Sequence, residues 1–231
     1  HITMIALGGV IGAGLFMGSG ALIASAGPAA ILSYFIGGLV VTLVMFMLGE
    51  MACRNPDAGS FSTYANTYLG DWAGFAVGWL YWFKSMMTIT LEAVLLGAIL
   101  HDFLPWLPIW AGAFLMLVTL MASNAYSVRS FAEVEYWLAA MKVATIVIFM
   151  LLGISILLGL HSNIPSPGLV NLTAHDGFMP NGLSPVMAGV IVVIFSLGGS
   201  EIAAVAAGES ENPRQNVIRA IKSVILRVML F

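Results

Sequence analysis

Gly8-Gly9-Val10-Ile11-Gly12-Ala13-Gly14 and Phe195-Ser196-Leu197-Gly198-Gly199-Ser200-Glu201 are glycine-rich interruptions in otherwise hydrophobic stretches. In a bilayer an unpaired peptide group costs several kcal/mol, so an opened helix persists there only where its backbone lines a cavity inside the protein. Two openings at corresponding places in two halves of a membrane chain point to a transporter's binding site. The expected fold class is all-α and polytopic.

Composition agrees. Hydrophobic residues make up 60% of the 231 and charged residues 8%, against about 25% charged in soluble domains. Mean hydropathy is +1.00. The single cysteine, Cys53, excludes an internal disulfide framework and a multi-cysteine metal site. His101, His161 and His175 are too scattered for a metal-ligand pattern, and no nucleophile–base arrangement, phosphate loop or sustained basic run is present. Neither an enzyme nor a nucleic-acid partner is expected, and no cofactor or metal. The chain opens on an apolar segment with no basic n-region and no initiator Met, and closes at Phe231 inside a hydrophobic run. A piece of a longer chain is the expectation.

A spanning helix needs about 20 mostly apolar residues. Segments of that kind lie at roughly 3–24, 29–53, 73–100, 106–127, 134–160 and 184–206, with another starting near 217. Gly27-Pro28, Asn55-Pro56, Pro105, Pro108 and the Pro/Gly/Asn-rich stretch 161–185 separate them. Arg54 falls in the second connection, Arg129 in the fourth, and Arg214, Arg219, Lys222 and Arg227 follow the sixth span, whereas the alternate connections carry no Lys or Arg. Basic connections stay in the cytoplasm. The N-terminus is then cytoplasmic, the first span runs outward and the sixth inward. That opposition is what an inverted repeat requires.

Each opening exposes unpaired N–H and C=O groups. A resumed helix start carries about half a positive charge, and a helix end about half a negative one. An anion suits the first and an ammonium the second, so a zwitterionic amino acid satisfies both. The substrate carboxylate is expected on the N–H groups around Ala13 and Gly14, beside Ile11 and Gly12. The amino group is expected on carbonyls near Val10, Phe195 and Gly198, with Ser196 in the same set. Close packing is the competing account of the first opening, because Gly8/Gly12 and Gly14/Gly18 have small-xxx-small spacing. The G-x-x-G-x-G order in an apolar span is not a dinucleotide fingerprint.

Intramembrane ionisable residues are functional candidates by default. Lys142 lies roughly 15 Å into the fifth span at about 1.5 Å per residue, near the middle of a core about 30 Å thick. It needs a buried partner, or it stands where another protein would hold a cation. Glu201 follows the second opening directly. It serves either as a proton relay or as a structural acceptor tying helices together. Glu92, in the outer part of the third span, either reaches the pocket or pairs with another helix. Lys84, near a span end, has a stem long enough to snorkel.

GVIGAGLF (Gly9 to Phe16) resembles the first-helix signature of the amino acid–polyamine–organocation superfamily. GEMACRNPDAGSFSTYA (Gly49 to Ala65) is similar to its cytoplasmic second connection, and AEVEYW (Ala132 to Trp137) to GEFEFW-type segments of its bacterial permeases. GFMPNG (Gly177 to Gly182) and GSEIAAVAAGESENP (Gly199 to Pro213) also fit. Among subgroups the likeness is nearest to γ-aminobutyrate permeases, partly through the acid in TLEAVLLGAILH (Thr90 to His101).

The resemblance implies a LeuT-like fold of two inverted five-helix repeats. Residues 1–160 would be the first repeat, 161–183 an extracellular connection and 184–231 the start of the second, giving about six full spans and part of a seventh. It implies that Ile11 to Gly14 bind substrate carboxylate and that Phe195 gates the site. It also implies that Lys142 replaces a sodium ion and that Glu201 serves proton coupling or substrate binding. Ala13 stands where many relatives have Ser, and Ile218 where many have Pro. The function expected is secondary active, sodium-independent uptake of a small amino acid across a bacterial cytoplasmic membrane, with a proton as coupling ion and the lipid bilayer as surroundings. Proton-independent exchange and a non-transporting membrane sensor or assembly subunit are the alternatives.

Overall fold

The computed structural model describes residues 12, 14–54, 60–126, 128–160, 166–174, 176–199, 201 and 218. Among the described residues every regular element is helical: α1 (Ser19–Ala26), α2 (Ala30–Arg54), α3 (Ser60–Leu69), α4 (Asp71–Phe103), α5 (Ile109–Tyr126), α6 (Val128–Leu157) and α7 (Leu183–Ser196). A π-helical turn, Gly14–Gly18, leads into α1, and 3-10 turns occupy Gly27–Ala29 and Val170–Leu172. Three helical stretches, Gly14–Arg54, Asp71–Phe103 and Tyr136–Leu157, are long and apolar enough to cross a membrane, and Ile109–Ala122 and α7 are shorter apolar helices. Large apolar side chains such as Phe35, Phe46, Trp79 and Phe149 face outward along these helices. Apolar faces of this kind on helices of spanning length point to an integral membrane protein.

Several expected boundaries move. The segment expected at 73–100 becomes the longer α4, whose 33 residues reach about 50 Å at about 1.5 Å each, beyond a core about 30 Å thick. The fifth segment begins at Val128 rather than 134, so Arg129, expected in a connection, lies in the first turn of α6. The sixth helix stops at Ser196, and its remainder to 206 falls largely outside the described residues. The connection after α2 contains the short helix α3, which its polar composition hid.

Two compact units divide the chain, one of His1–Cys53 with Tyr136–Phe231 and the other of Arg54–Glu135. In the first, the chain reverses between α1 and α2 at Gly27, whose φ of 62° favours glycine. Its N–H closes α1 on the carbonyl of Ile23. Pro28 at the start of the following turn needs no N–H partner. Helix α7 lies against both arms. Along α1 its contacts run Gly18 to Val192 and Leu22 to Gly189, an antiparallel register. Along α2 they run Ser33 to Gly189 and Gly37 to Val193, a parallel one. These contacts set glycines against valine, serine and leucine, and the small residues let the helices approach closely in lipid.

In the second unit, α3 folds back on α4 through Gly70 (φ 95°), whose N–H donates to the Asn66 carbonyl at 3.0 Å. The Ser62 hydroxyl donates to the Gly74 carbonyl at 2.9 Å. At the other end, α4 and α5 cross at Gly97, where an added Cβ would meet the Ile109 carbonyl and lie 2.7 Å from the Ala113 nitrogen. His101 Nδ1 donates to the Leu107 carbonyl at 2.7 Å and ties the loop below this crossing. Gly97→Ala should therefore cost about 1–3 kcal/mol by overpacking and lower the thermal midpoint of the solubilised protein. Gly153→Ala in α6, where nothing lies within 4 Å of the new carbon, should gain about 0.5–1 kcal/mol from helix propensity. Equal midpoints for the two variants would contradict the crossing geometry.

Candidate binding site at the two helix openings

The first opening is described at Gly12 and from Gly14 onward. Leu15 N–H donates to the Gly12 carbonyl at 3.1 Å, and the chain then takes the wide π-helical turn Gly14–Gly18 before settling into α1. Single π turns are rare and concentrate at functional sites, because they displace backbone groups from the regular helical ladder. The second opening is built differently. Helix α7 ends with Leu197 N–H on the Val193 carbonyl at 2.9 Å, then tightens with Gly198 N–H on the Phe195 carbonyl at 3.0 Å. Gly199 follows with φ 95°, a left-handed conformation that a side chain would strain. Its N–H donates to Glu201 Oε2 at 2.8 Å, so the acid directly after the opening holds the turn.

The two openings touch. A Cβ on Gly14 would lie 2.9 Å from the Ser196 Cα, 3.0 Å from its Oγ and 3.1 Å from Cδ1 of Phe195. Gly18, one turn on, packs against Val192. The Gly14/Gly18 spacing thus performs the close packing considered from sequence, and its partner is the other opening. Ser196 is almost fully buried and its hydroxyl donates to the Val192 carbonyl at 2.8 Å. Phe195, 41% exposed, is the large side chain at this contact. Because α1 and α7 are antiparallel, the positive start of one and the negative end of the other lie side by side.

Of the residues expected in the site, Gly14, Phe195 and Ser196 are brought into contact, with Gly12 two residues before Gly14 in the chain and Gly198 two residues after Ser196. Val10, Ile11 and Ala13 lie outside the described residues. Glu201 is engaged with the turn of the second opening. Lys142 is half-buried at the midpoint of α6, in the same unit. Glu92 is half-buried on α4, in the other unit. Among the described residues no His/Cys/Asp/Glu group could hold a metal ion. Sequence reasoning missed Ser33, Gly37 and Gly189, which fasten α7 in place. The Gly37-Gly38 pair and the isolated Gly189, both inside apolar helical runs, were the available signal for two of them.

The amino acid permease family model matches residues 1–231. This chain belongs to that family. A gamma-aminobutyric acid permease from Bacillus subtilis (strain 168) is 46% identical over 231 residues, covering 100% of the chain and 49% of the relative. An aromatic amino acid transport protein from Corynebacterium glutamicum is 44% identical over 234 residues, covering 100% and 50%. A lysine-specific permease from Escherichia coli (strain K12) is 39% identical over 232 residues, covering 100% and 47%. These relatives are named as transporters, not enzymes. The chain spans about half their length. No solved structure matches it.

Proposed function

We propose that this chain contributes the two opened helices of the substrate site to a secondary active amino acid transporter in the bacterial cytoplasmic membrane. One observation carries the reading: the opened start of the α1 segment and the opened end of α7 meet at Gly14 and Ser196. The substrate carboxylate sits on N–H groups of the first opening, around Ile11, Gly12, Ala13 and Gly14. The ammonium sits on carbonyls near Val10, Phe195 and Gly198, beside Ser196, with the Phe195 ring as gate. The LeuT-like inverted repeat, with 1–160 as the first five helices and 184–231 opening the second, belongs to this proposal, as does a cytoplasmic N-terminus. The antiparallel register of α1 and α7 supports it.

Alternating access then moves the two opened helices together against the remainder of the fold. Glu201 takes up a proton on loading, and Lys142 substitutes for a sodium ion, making uptake sodium-independent. Glu92 is a candidate pocket acid. A second reading, proton-independent exchange, draws support from the engagement of Glu201 by the Gly199 N–H, which suits a structural acceptor.

The test uses the full-length protein and thermal shift. A ligand at about 100 times its Kd stabilises by about 2.7 kcal/mol, a shift of several degrees. Small free amino acids should raise the midpoint, and the same compounds with esterified carboxylates should not. Equal stabilisation by ester and acid would remove the carboxylate from the first opening.

A further inference from the structure

We propose that Ser33 and Tyr34, adjacent residues of α2, act as a brace that sets the spacing between the two opened helices. The inference rests on the transport reading above and adds positioning residues to it. Ser33 is fully buried, and its hydroxyl donates to the Val186 carbonyl of α7 at 2.7 Å. Tyr34 interacts through its side chain with that of Ser19, the residue directly after the π-helical turn. Two neighbouring side chains of one helix therefore hold two different helices, one leading into each opening. They do so where α1, α2 and α7 converge. A Cβ on Gly189 would meet Leu22 of α1 and lie 2.7 Å from the Ser33 Oγ of α2. No side chain of α7 separates the three backbones at that point.

The convergence lies roughly 10 Å along α7 from Ser196, at about 1.5 Å per residue. The brace is thus a fixed point beside the site and touches no substrate. Its effect on binding follows from geometry. A zwitterion needs donors on one opening and acceptors on the other at one separation. Loosening the anchored ends of α1 and α7 lowers the fraction of molecules holding that separation. Apparent affinity falls by the same fraction. The rate of reorientation once substrate is bound has no reason to fall with it.

The experiment measures KM, kcat, membrane content and thermal midpoint for uptake by the full-length carrier in proteoliposomes. Ser33→Ala and Tyr34→Phe each remove a hydroxyl group from the brace. Each should raise KM about fivefold to tenfold while kcat per folded molecule stays within about twofold. Tyr34→Phe keeps the ring and its packing, so it decides the matter if Ser33→Ala folds poorly. The brace is overturned if both variants keep the wild-type KM, or if they lose uptake only in proportion to folded carrier. A wild-type carrier that neither binds nor moves amino acids overturns the transport reading and the brace together. A transporting wild type with indifferent variants overturns the brace alone.

Discussion

Gly14→Ala should reduce amino acid uptake by the full-length carrier about fivefold to a hundredfold, and Gly14→Val should abolish it. The new carbon would lie 2.9 Å from the Cα of Ser196. That atom belongs to a backbone held on both sides, by the Ser196 hydroxyl on the Val192 carbonyl and by Leu197 N–H on the Val193 carbonyl. A flexible side-chain end could step aside, but a hydrogen-bonded helix terminus cannot. Relief requires α1 and α7 to separate, and their separation defines the candidate site. Overpacking of this kind costs about 1–3 kcal/mol, and every 1.4 kcal/mol is tenfold in an equilibrium constant. Gly20, on α1, is the control, since nothing lies within 4 Å of a carbon added there. Gly20→Ala should transport within about twofold of wild type. Counterflow separates a lost site from a lost coupling step, and Gly14→Ala should fail in both directions. Normal counterflow in Gly14→Ala would mean that the contact between the openings plays no part in binding.

The legibility of this fold varied with the kind of signal. Long apolar runs bounded by Gly-Pro or Asn-Pro announced the helices, and α2 ends within a residue of where its composition predicts. The π-helical turn before α1 and the end of α7 both fall in glycine clusters that the sequence had marked. Partner choice was not visible. Gly14 and Gly18 carried the spacing for close packing, but that spacing says nothing of which helix fills the groove. Ser33 looked like one more small residue in a span, and only the parallel register of α2 and α7 turns it into a donor to Val186. Helix α3 was hidden for a different reason. It is a short helix held by Ser62 on Gly74, the Gly70 turn, buried Tyr64 and the Phe61 ring against Tyr81, so no long apolar run marks it. The long first turn of α6 was misjudged because Arg129 reads as a membrane-boundary marker, whereas a helix continues past the bilayer when its backbone bonds stay satisfied.

Glu201→Gln and Glu201→Ala should have different consequences, and the difference separates the two roles open to this acid. The carboxylate accepts the Gly199 N–H at 2.8 Å, directly at the turn that ends the second opening. A glutamine carbonyl can accept the same N–H, although a neutral acceptor is worth about 1 kcal/mol where a charged one is worth about 1.5–3. The turn therefore survives Glu201→Gln, and what disappears is a group able to carry a proton. Alanine removes acceptor and proton carrier together and leaves a buried N–H to be satisfied elsewhere, at about 1–3 kcal/mol. If proton uptake at this position drives loading, Glu201→Gln in proteoliposomes keeps counterflow within a few-fold of wild type while stimulation by an inward proton gradient vanishes. Glu201→Ala should lose at least tenfold in counterflow as well, because Gly199 at φ 95° loses the bond that holds it beside Phe195 and Gly198. If the acid only ties the turn, Glu201→Gln responds to the gradient like wild type and only the alanine variant suffers. That second pattern would end the proton-relay proposal and leave exchange as the better account, since the turn of α7 would then need Glu201 for its shape alone.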